Sequence, residues 1–389
     1  MVDMSRARRF RANRVLILLA VAIFTILLVY LLLKYFSRMM LMYDDPVRSP
    51  PALQIRSQTI QLSAPIKNIV VPDDEVGFIL PPGLDQTVPT YDFTFRRVAD
   101  SRGFPNASDW PKTADIVFLG DSLIMGEGVG VENGFVSLTD QALKEVSVVN
   151  LGNPGAGLER QYRIFRRFGA DLVPSLIVSC LYLASDLKND MHFSAWLTDP
   201  VGMTYNDFRL SYARRHARQS RNSLLSRIQG RPIYYWAQSV VEPRLGGDRK
   251  ILHSLAMQDG STLLFNRDAV KFAKRGFFAD EPEFIRFSKS LTRLQSLADR
   301  RNAALVFILI PSKEEIFAED VTVKPNSAAG IIKEELIRRQ ITFLDLYPIL
   351  KEFAEKRTPY FPRDIHLNED GNKMVAEVVS KWIESMRSR

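Results

Sequence analysis

Asp115-Ile116-Val117-Phe118-Leu119-Gly120-Asp121-Ser122-Leu123 is the stretch from which the fold can be read. Its apolar run has no helical spacing and stops at glycine and two small polar residues, the pattern of a buried strand that turns directly into a helix. Four runs of the same kind follow, at Val146 to Asn150, Leu176 to Tyr182, Ala304 to Ile310 and Thr342 to Leu344. Between them Val136 to Lys144, Leu158 to Phe168, Glu281 to Arg301 and Ala328 to Arg339 carry apolar residues at helical spacing. A closing helix from about Glu369 to Met386 sets Met374, Val375, Val378, Val379, Trp382 and Ile383 on one face. Strands alternating with amphipathic helices predict an α/β fold, three-layer αβα around a five-stranded parallel sheet.

Outward from this core, the composition is that of an ordinary folded protein. Of 389 residues, 46% are apolar and 25% charged, which excludes disordered, collagenous and polytopic membrane classes. The single cysteine, Cys180, rules out an intrachain disulfide framework and a cysteine-built metal site, and its apolar surroundings place it in the core. The uncharged run Val15 to Leu33 is long enough to span a bilayer as a helix. Arg6, Arg8, Arg9, Arg11 and Arg14 precede it, which directs the amino terminus to the cytoplasm. With no small-residue cleavage site after it, the run reads as an uncleaved signal anchor. The expected localisation is the inner (cytoplasmic) membrane, single-pass, with the rest of the chain in the periplasm or outside.

The expected domain organisation is a basic tail and anchor at 1–36, a proline-rich stalk at 37–95 with a small edge hairpin, and the α/β domain at 96–389. About 120 residues separate the third and fourth strands, far beyond a usual connection, so the domain carries an insertion at about 187–280. Arg209 to Arg231 within it holds Arg214, Arg215, His216, Arg218, Arg221 and Arg227 interleaved with Leu224, Leu225 and Ile228. This strip suits a lid or surface helix facing anionic lipid heads or an acidic glycan, and equally a solvated basic face. The net charge of +8 is concentrated there and at the amino terminus. Nucleic acid is a poor fit to an extracytoplasmic location.

In open parallel sheets, reactive groups gather where strands end at their carboxyl edge. The first strand runs into Gly120, Asp121 and Ser122, and the second into a glycine-rich turn, Asn150-Leu151-Gly152-Asn153-Pro154-Gly155-Ala156-Gly157. Near the carboxyl end, Asp364 precedes His366 by two residues, ahead of the closing helix. A carboxylate so placed can orient a histidine base. Taken singly, each piece also reads as an ordinary turn or cap. Asp121 is expected to be structural, Ser312 and Asp345 to cap helices, and His192 and His253 to be bystanders.

Together, IVFLGDSLIMGEGV, VVNLGNPGAG and FPRDIHLNEDGNKMVAE resemble the three corresponding blocks of the SGNH/GDSL hydrolase superfamily, in the same order, over about Tyr91 to Met386 without the insertion. The resemblance implies a flavodoxin-like sheet and a Ser-His-Asp arrangement of Ser122, His366 and Asp364. The oxyanion would be met by the N–H groups of Ser122 and Gly155, and no metal or organic cofactor is implied. The family's further block supplies an asparagine as third oxyanion donor, and here Ser185 stands in its place, just before Asp186. Asn189, three residues on from Asp186, is the other side chain that could reach back. The implied activity is that of a serine esterase or O-acyltransferase acting on an acylated envelope or secreted polysaccharide. A lipid esterase and a noncatalytic glycan-binding or assembly protein, with an envelope-complex partner, are the alternatives.

Overall fold

The computed structural model describes residues 70–90, 92–198, 202–209, 254–256, 262–265, 267–317 and 325–388, together with Thr25, Leu28, Tyr30 and Ser211. The elements below belong to one unit, Gln58–His216 with Lys250–Arg389; of the other unit, Met1–Ser57 with Ala217–Arg249, Thr25, Leu28 and Tyr30 are described and are helical. In chain order come β1 (Val71–Asp73), β2 (Gly77–Ile79), β3 (Asp85–Pro89), β4 (Thr94–Val98), β5 (Ile116–Leu119), α1 (Phe135–Ala142), β6 (Val148–Asn150), α2 (Leu158–Ile164), β7 (Leu176–Tyr182) and α3 (Asp186–Thr198). They are followed by β8 (Ser254–Ala256), β9 (Thr262–Leu264), α4 (Arg267–Lys274), α5 (Pro282–Arg300), β10 (Ala304–Ile310), α6 (Lys313–Phe317), α7 (Ala328–Arg338), β11 (Phe343–Asp345), α8 (Tyr347–Ala354) and α9 (Glu369–Arg387).

The central sheet has the order β11-β10-β7-β5-β6, parallel throughout, and its strands are those the apolar runs predict, shifted by one or two residues at their ends. Numbering these five alone by sequence gives 2-1-3-4-5, the flavodoxin-like order, with the strand-order switch at β5. Alternate side chains feed two cores. Val117, Leu119, Ile177, Phe307 and Leu309 pack against α2, α5 and α7, whereas Ile116, Phe118, Val178, Cys180 and Ile308 pack against α1, α8 and α9. Burial on both faces explains why the strands read as continuous apolar runs without alternation. Each buried aliphatic or aromatic side chain stabilises the sandwich by about 1.5–3 kcal/mol.

The caps follow the sequence. Glu315 N donates to Ser312 Oγ at 3.1 Å and Ser312 N to Glu315 Oε2 at 2.7 Å, a reciprocal capping box at α6. Asp345 Oδ1 accepts the first N–H of α8, from Tyr347 at 3.0 Å.

The proline-rich stretch has the expected edge hairpin but is otherwise no stalk. From Val70 on it is folded, as the antiparallel hairpins β1–β2 and β3–β4, and Val76, Phe78 and Leu80 are buried. Pro72 and Pro89 are tolerated because two-stranded ribbons have open edges, where a missing N–H costs no ladder bond. The expected stalk therefore belongs to the α/β body from about residue 70. Phe78 joins Phe193, Trp196, Tyr205 and Phe208 in a small aromatic core under α3 and the helical segment 205–209. Gly77, at φ 86°, lets the hairpin in: a Cβ there would stand 2.6 Å from the Tyr205 ring.

Among the described residues no helix is long and apolar enough to cross a membrane. The run Val15 to Leu33 lies outside them except for Thr25, Leu28 and Tyr30, and the basic strip beyond Ser211 lies outside them altogether.

Candidate active site

β5 lies between β6 and β7, so its carboxyl end opens into the crevice at the switch point, and Ser122 follows it there. The turn is held by Asp121, whose Oδ1 accepts the N–H of Leu123 at 2.9 Å. Asp121 is buried, and burial raises its pKa, opposed by that N–H and by the charge of His366. It shapes the turn, as the sequence indicates, and leaves the Ser122 hydroxyl free to face the carboxyl-terminal loop.

There the structure brings together the three residues that the motifs pair. Ser122 Oγ lies 2.7 Å from His366 Nε2, and His366 Nδ1 is in short contact with Asp364 Oδ1. The same Asp364 oxygen accepts the backbone N–H of His366 at 2.9 Å. With Nδ1 donating to the carboxylate, Nε2 is left as an acceptor for the serine proton. Burial disfavours the imidazolium, but the facing Asp364 carboxylate, with Glu127 and Asp121 beyond, outweighs it and raises the His366 pKa to about 9. For Asp364, burial acts to raise its pKa, yet His366 and then Lys313 hold it below the usual value.

The loop that carries Asp364 and His366 is braced from two directions. Asp92 Oδ2, from the turn of the β3–β4 hairpin, accepts the N–H groups of Arg363 at 2.6 Å and Asp364 at 2.8 Å. Lys313 Nζ donates to the carbonyls of Phe361 and Pro362, each at 3.2 Å, and of Asp364 at 2.8 Å. Lys313 is fully buried, and burial lowers its pKa to about 8 against the pull of Glu314, Asp364 and Asp92. Phe361 packs at a tilt on Phe93, ring centres 4.3 Å apart, and lies over Gly128, where a Cβ would clash with its ring at 2.5 Å. Asn368 caps α9 through Gly371 N at 2.9 Å, fixing the direction in which the loop enters the helix.

On the opposite side the glycine-rich turn after β6 is tied to β5 by Asn153 N, which donates to Gly120 O at 3.0 Å. Gly155 has φ 66°, a left-handed conformation that glycine adopts without cost. Among the described residues, no acceptor takes the N–H of Ser122 or of Gly155. Arg160 of α2 locks this turn from beneath. Its guanidinium is 0% exposed and donates to Val76 O, Phe78 O, Pro154 O and Asn153 Oδ1 at 2.6–3.2 Å. The Phe78 ring covers it at 4.3 Å, and burial lowers its pKa to about 10. The first hairpin and the glycine-rich turn thus share one buried cation.

Ser185 does stand between β7 and α3, where the sequence places it. Its Oγ accepts from Asn189 Nδ2 at 3.3 Å, so the amide one helical turn downstream reaches back over it. Asp186 caps the same junction, accepting Tyr182 N at 3.0 Å, and burial followed by the nearby Asp121 carboxylate raises its pKa well above the ordinary range. His192 is buried in α3 as a bystander, while His253 lies outside the described residues. Asp92, Arg160 and Lys313 escaped the sequence reading. Arg160 stands three residues beyond the glycine-rich motif and Lys313 next to a strand-end serine, but neither position signals its role. Among the described residues, no group of histidine, cysteine and carboxylate side chains could hold a metal ion.

Residues 264–388 match the family described as SGNH hydrolase-like domain, acetyltransferase AlgX, a stretch that contains Asp364 and His366 but not Ser122. Similar solved structures include a lipolytic G-D-S-L family protein from Veillonella parvula, at 15% identity over 67% of this chain and 93% of that one, TM-score 0.36. Others are a lipase/acylhydrolase from Enterococcus faecalis, at 13% identity over 70% and 95%, TM-score 0.38, and the esterase EstA from a Pseudoalteromonas species, at 11% over 72% and 100%, TM-score 0.35. No curated protein matches the chain.

Proposed function

We propose, on the premise that this chain belongs to the SGNH hydrolase superfamily, that it is a serine esterase or O-acyltransferase acting on an acylated envelope or secreted polysaccharide. The observation that carries the reading is the unbroken hydrogen-bonded line Ser122 Oγ, His366 Nε2, His366 Nδ1, Asp364 Oδ1. His366 takes the Ser122 proton as Oγ attacks the ester carbonyl, and Asp364 holds the ring and offsets its new charge. The N–H groups of Ser122 and Gly155 are the donors for the developing oxyanion. His366 then returns the proton to the leaving alkoxide, giving an acyl-serine. In the second half, water or a sugar hydroxyl loses its proton to His366 and attacks the acyl carbon, and Ser122 recovers its proton on departure. Hydrolysis and transfer differ only in that acceptor.

The polymer and the location rest on the sequence. A basic-flanked apolar run ahead of the domain supports an anchor with the domain outside the cytoplasm, and a long insertion suits a bulky substrate. The test is hydrolysis of short-chain p-nitrophenyl esters and transfer to oligosaccharide acceptors, compared with Ser122→Ala. Activity that vanishes in the variant supports the reading; equal activity in both proteins excludes it. A noncatalytic binding role draws on one observation, Ser185 in the place of an oxyanion asparagine. It predicts a Ser122→Ala protein with full cellular function.

A further inference from the structure

Arg209 lies in the insertion, in the helical segment 205–209, and is half-buried. The point at which a first side-chain carbon would stand on Gly155 lies 3.1 Å from Arg209 Nη1 and 3.9 Å from Asn189 Nδ2. A guanidinium and a carboxamide therefore converge on the turn whose Gly155 N–H has no acceptor among the described residues. The Arg209 guanidinium packs 5.5 Å from the centre of the Phe78 ring, but among the described residues it has no hydrogen bond and no ion pair. Its near neighbour is a like charge, the buried Arg160, which feels its repulsion. Holding a second cation there, with up to five donors unused, costs free energy in the free protein. An anion forming beside Gly155 would offset that cost.

We infer that Arg209 and Asn189 complete the oxyanion site, in the role that a block asparagine fills in the superfamily, and that Ser185 does not. Ser185 Oγ, at 3.3 Å, and Asp186 Oδ1, at 3.5 Å, both accept from the Asn189 amide at long range and so help to aim it. Arg209, half-buried against the Phe78 ring, brings a full positive charge to the tetrahedral intermediate, which a neutral amide cannot. The insertion thereby supplies a catalytic residue. This inference rests on the proposed serine chemistry.

The test is the rate at which a neutral alkyl fluorophosphonate labels Ser122, since its phosphoryl oxygen occupies the oxyanion position and no acyl acceptor is required. In Arg209→Met, whose side chain keeps the packing on Phe78, the rate is expected to fall about 10²-fold or more, as on losing one oxyanion donor. Asn189→Ala is expected to fall comparably, and Ser185→Ala to change by about threefold or less. Thermal melts confirm that each variant is folded, and Arg209→Lys, which keeps the charge without the fork, is expected to recover part of the rate. Labelling of Arg209→Met at the wild-type rate overturns the inference and leaves the serine chemistry standing. So does a large loss in Ser185→Ala with none in Asn189→Ala. A folded wild-type protein whose Ser122 takes no label overturns both readings together.

Discussion

Asp92 and Asp364 meet across 272 residues of sequence, the widest such hydrogen bond among the described residues: the carboxylate of the first accepts the backbone N–H of the second at 2.8 Å. One carboxylate positions the other without touching the histidine. Asp92→Ala leaves two part-buried N–H groups without an acceptor, at about 1–3 kcal/mol each. It is expected to lower kcat about tenfold with KM little changed and to lower the melting temperature by several degrees. Asp92→Asn keeps an acceptor oxygen and should restore most of both. Steady-state kinetics and melts on the two variants check this.

The raised pKa of His366 makes activity rise with pH. A base must be neutral to accept the serine proton, so kcat/KM should climb towards a plateau with an apparent pKa near 9. Removing the facing charge in Asp364→Asn should move that limb towards the ordinary imidazole value of about 6.5 and cost about 10⁴-fold in kcat. A pH–rate profile of wild type that is flat above pH 7 would count against the ion pair.

Stability carries the same ion pair with the opposite sign. A histidine whose folded pKa lies above its unfolded one contributes fully below about pH 6.5, and the contribution is lost as pH rises through the folded value. Lys313, lowered to about 8, works the other way only above that pH. Asp190, raised to about 8 by burial, also weakens the fold as pH rises, so the diagnostic is a difference. Between pH 6.5 and 8, melts of wild type should fall more steeply than those of Asp364→Asn.

Lys313→Met tests the second brace. Three carbonyls of the acid–base loop lose their shared donor while packing volume is kept. The expected result is a folded protein with kcat reduced about 10- to 100-fold, in line with the large penalty for misplaced catalytic groups. Unchanged kcat would make Lys313 a support for the fold alone.

Arg160→Leu should be the most destabilising of these changes, by about 3–5 kcal/mol, because it strands four buried acceptors and uncouples the first hairpin from the glycine-rich turn. Limited proteolysis should then cut in the 70–80 region before elsewhere. Arg160→Lys cannot span the same four oxygens and is expected to rescue little.

The five core strands were legible because strands buried on both faces cannot hide their apolar character, and the helices because each has one face against the sheet. Ser122, Asp364 and His366 were legible because each sits at a strand end or helix start, within a few residues of punctuation such as Gly120 and Asn368. Of the two hairpins at 71–98, the sequence suggested one small edge hairpin and not their packing on the body. Their strands are three to five residues long, contain Pro72 and Pro89, and show few buried side chains, so local pattern suggested a stalk. Arg160 failed for another reason. An arginine in an amphipathic helix reads as solvated, and only tertiary structure supplies the ring faces and carbonyl oxygens that make its burial tolerable. Lys313 shares that logic.

Asp92 reaches the ribosomal exit 271 residues ahead of Arg363, whose N–H it will hold, and Ser122 precedes its base by 244. A growing chain thus carries its nucleophile long before it carries anything to activate it. Premature termination, or proteolytic loss of the segment before α9, leaves a sheet with an inert serine. On the proposed serine chemistry, catalytic competence is in this sense a certificate of completed synthesis, issued only once the two ends of the domain have met.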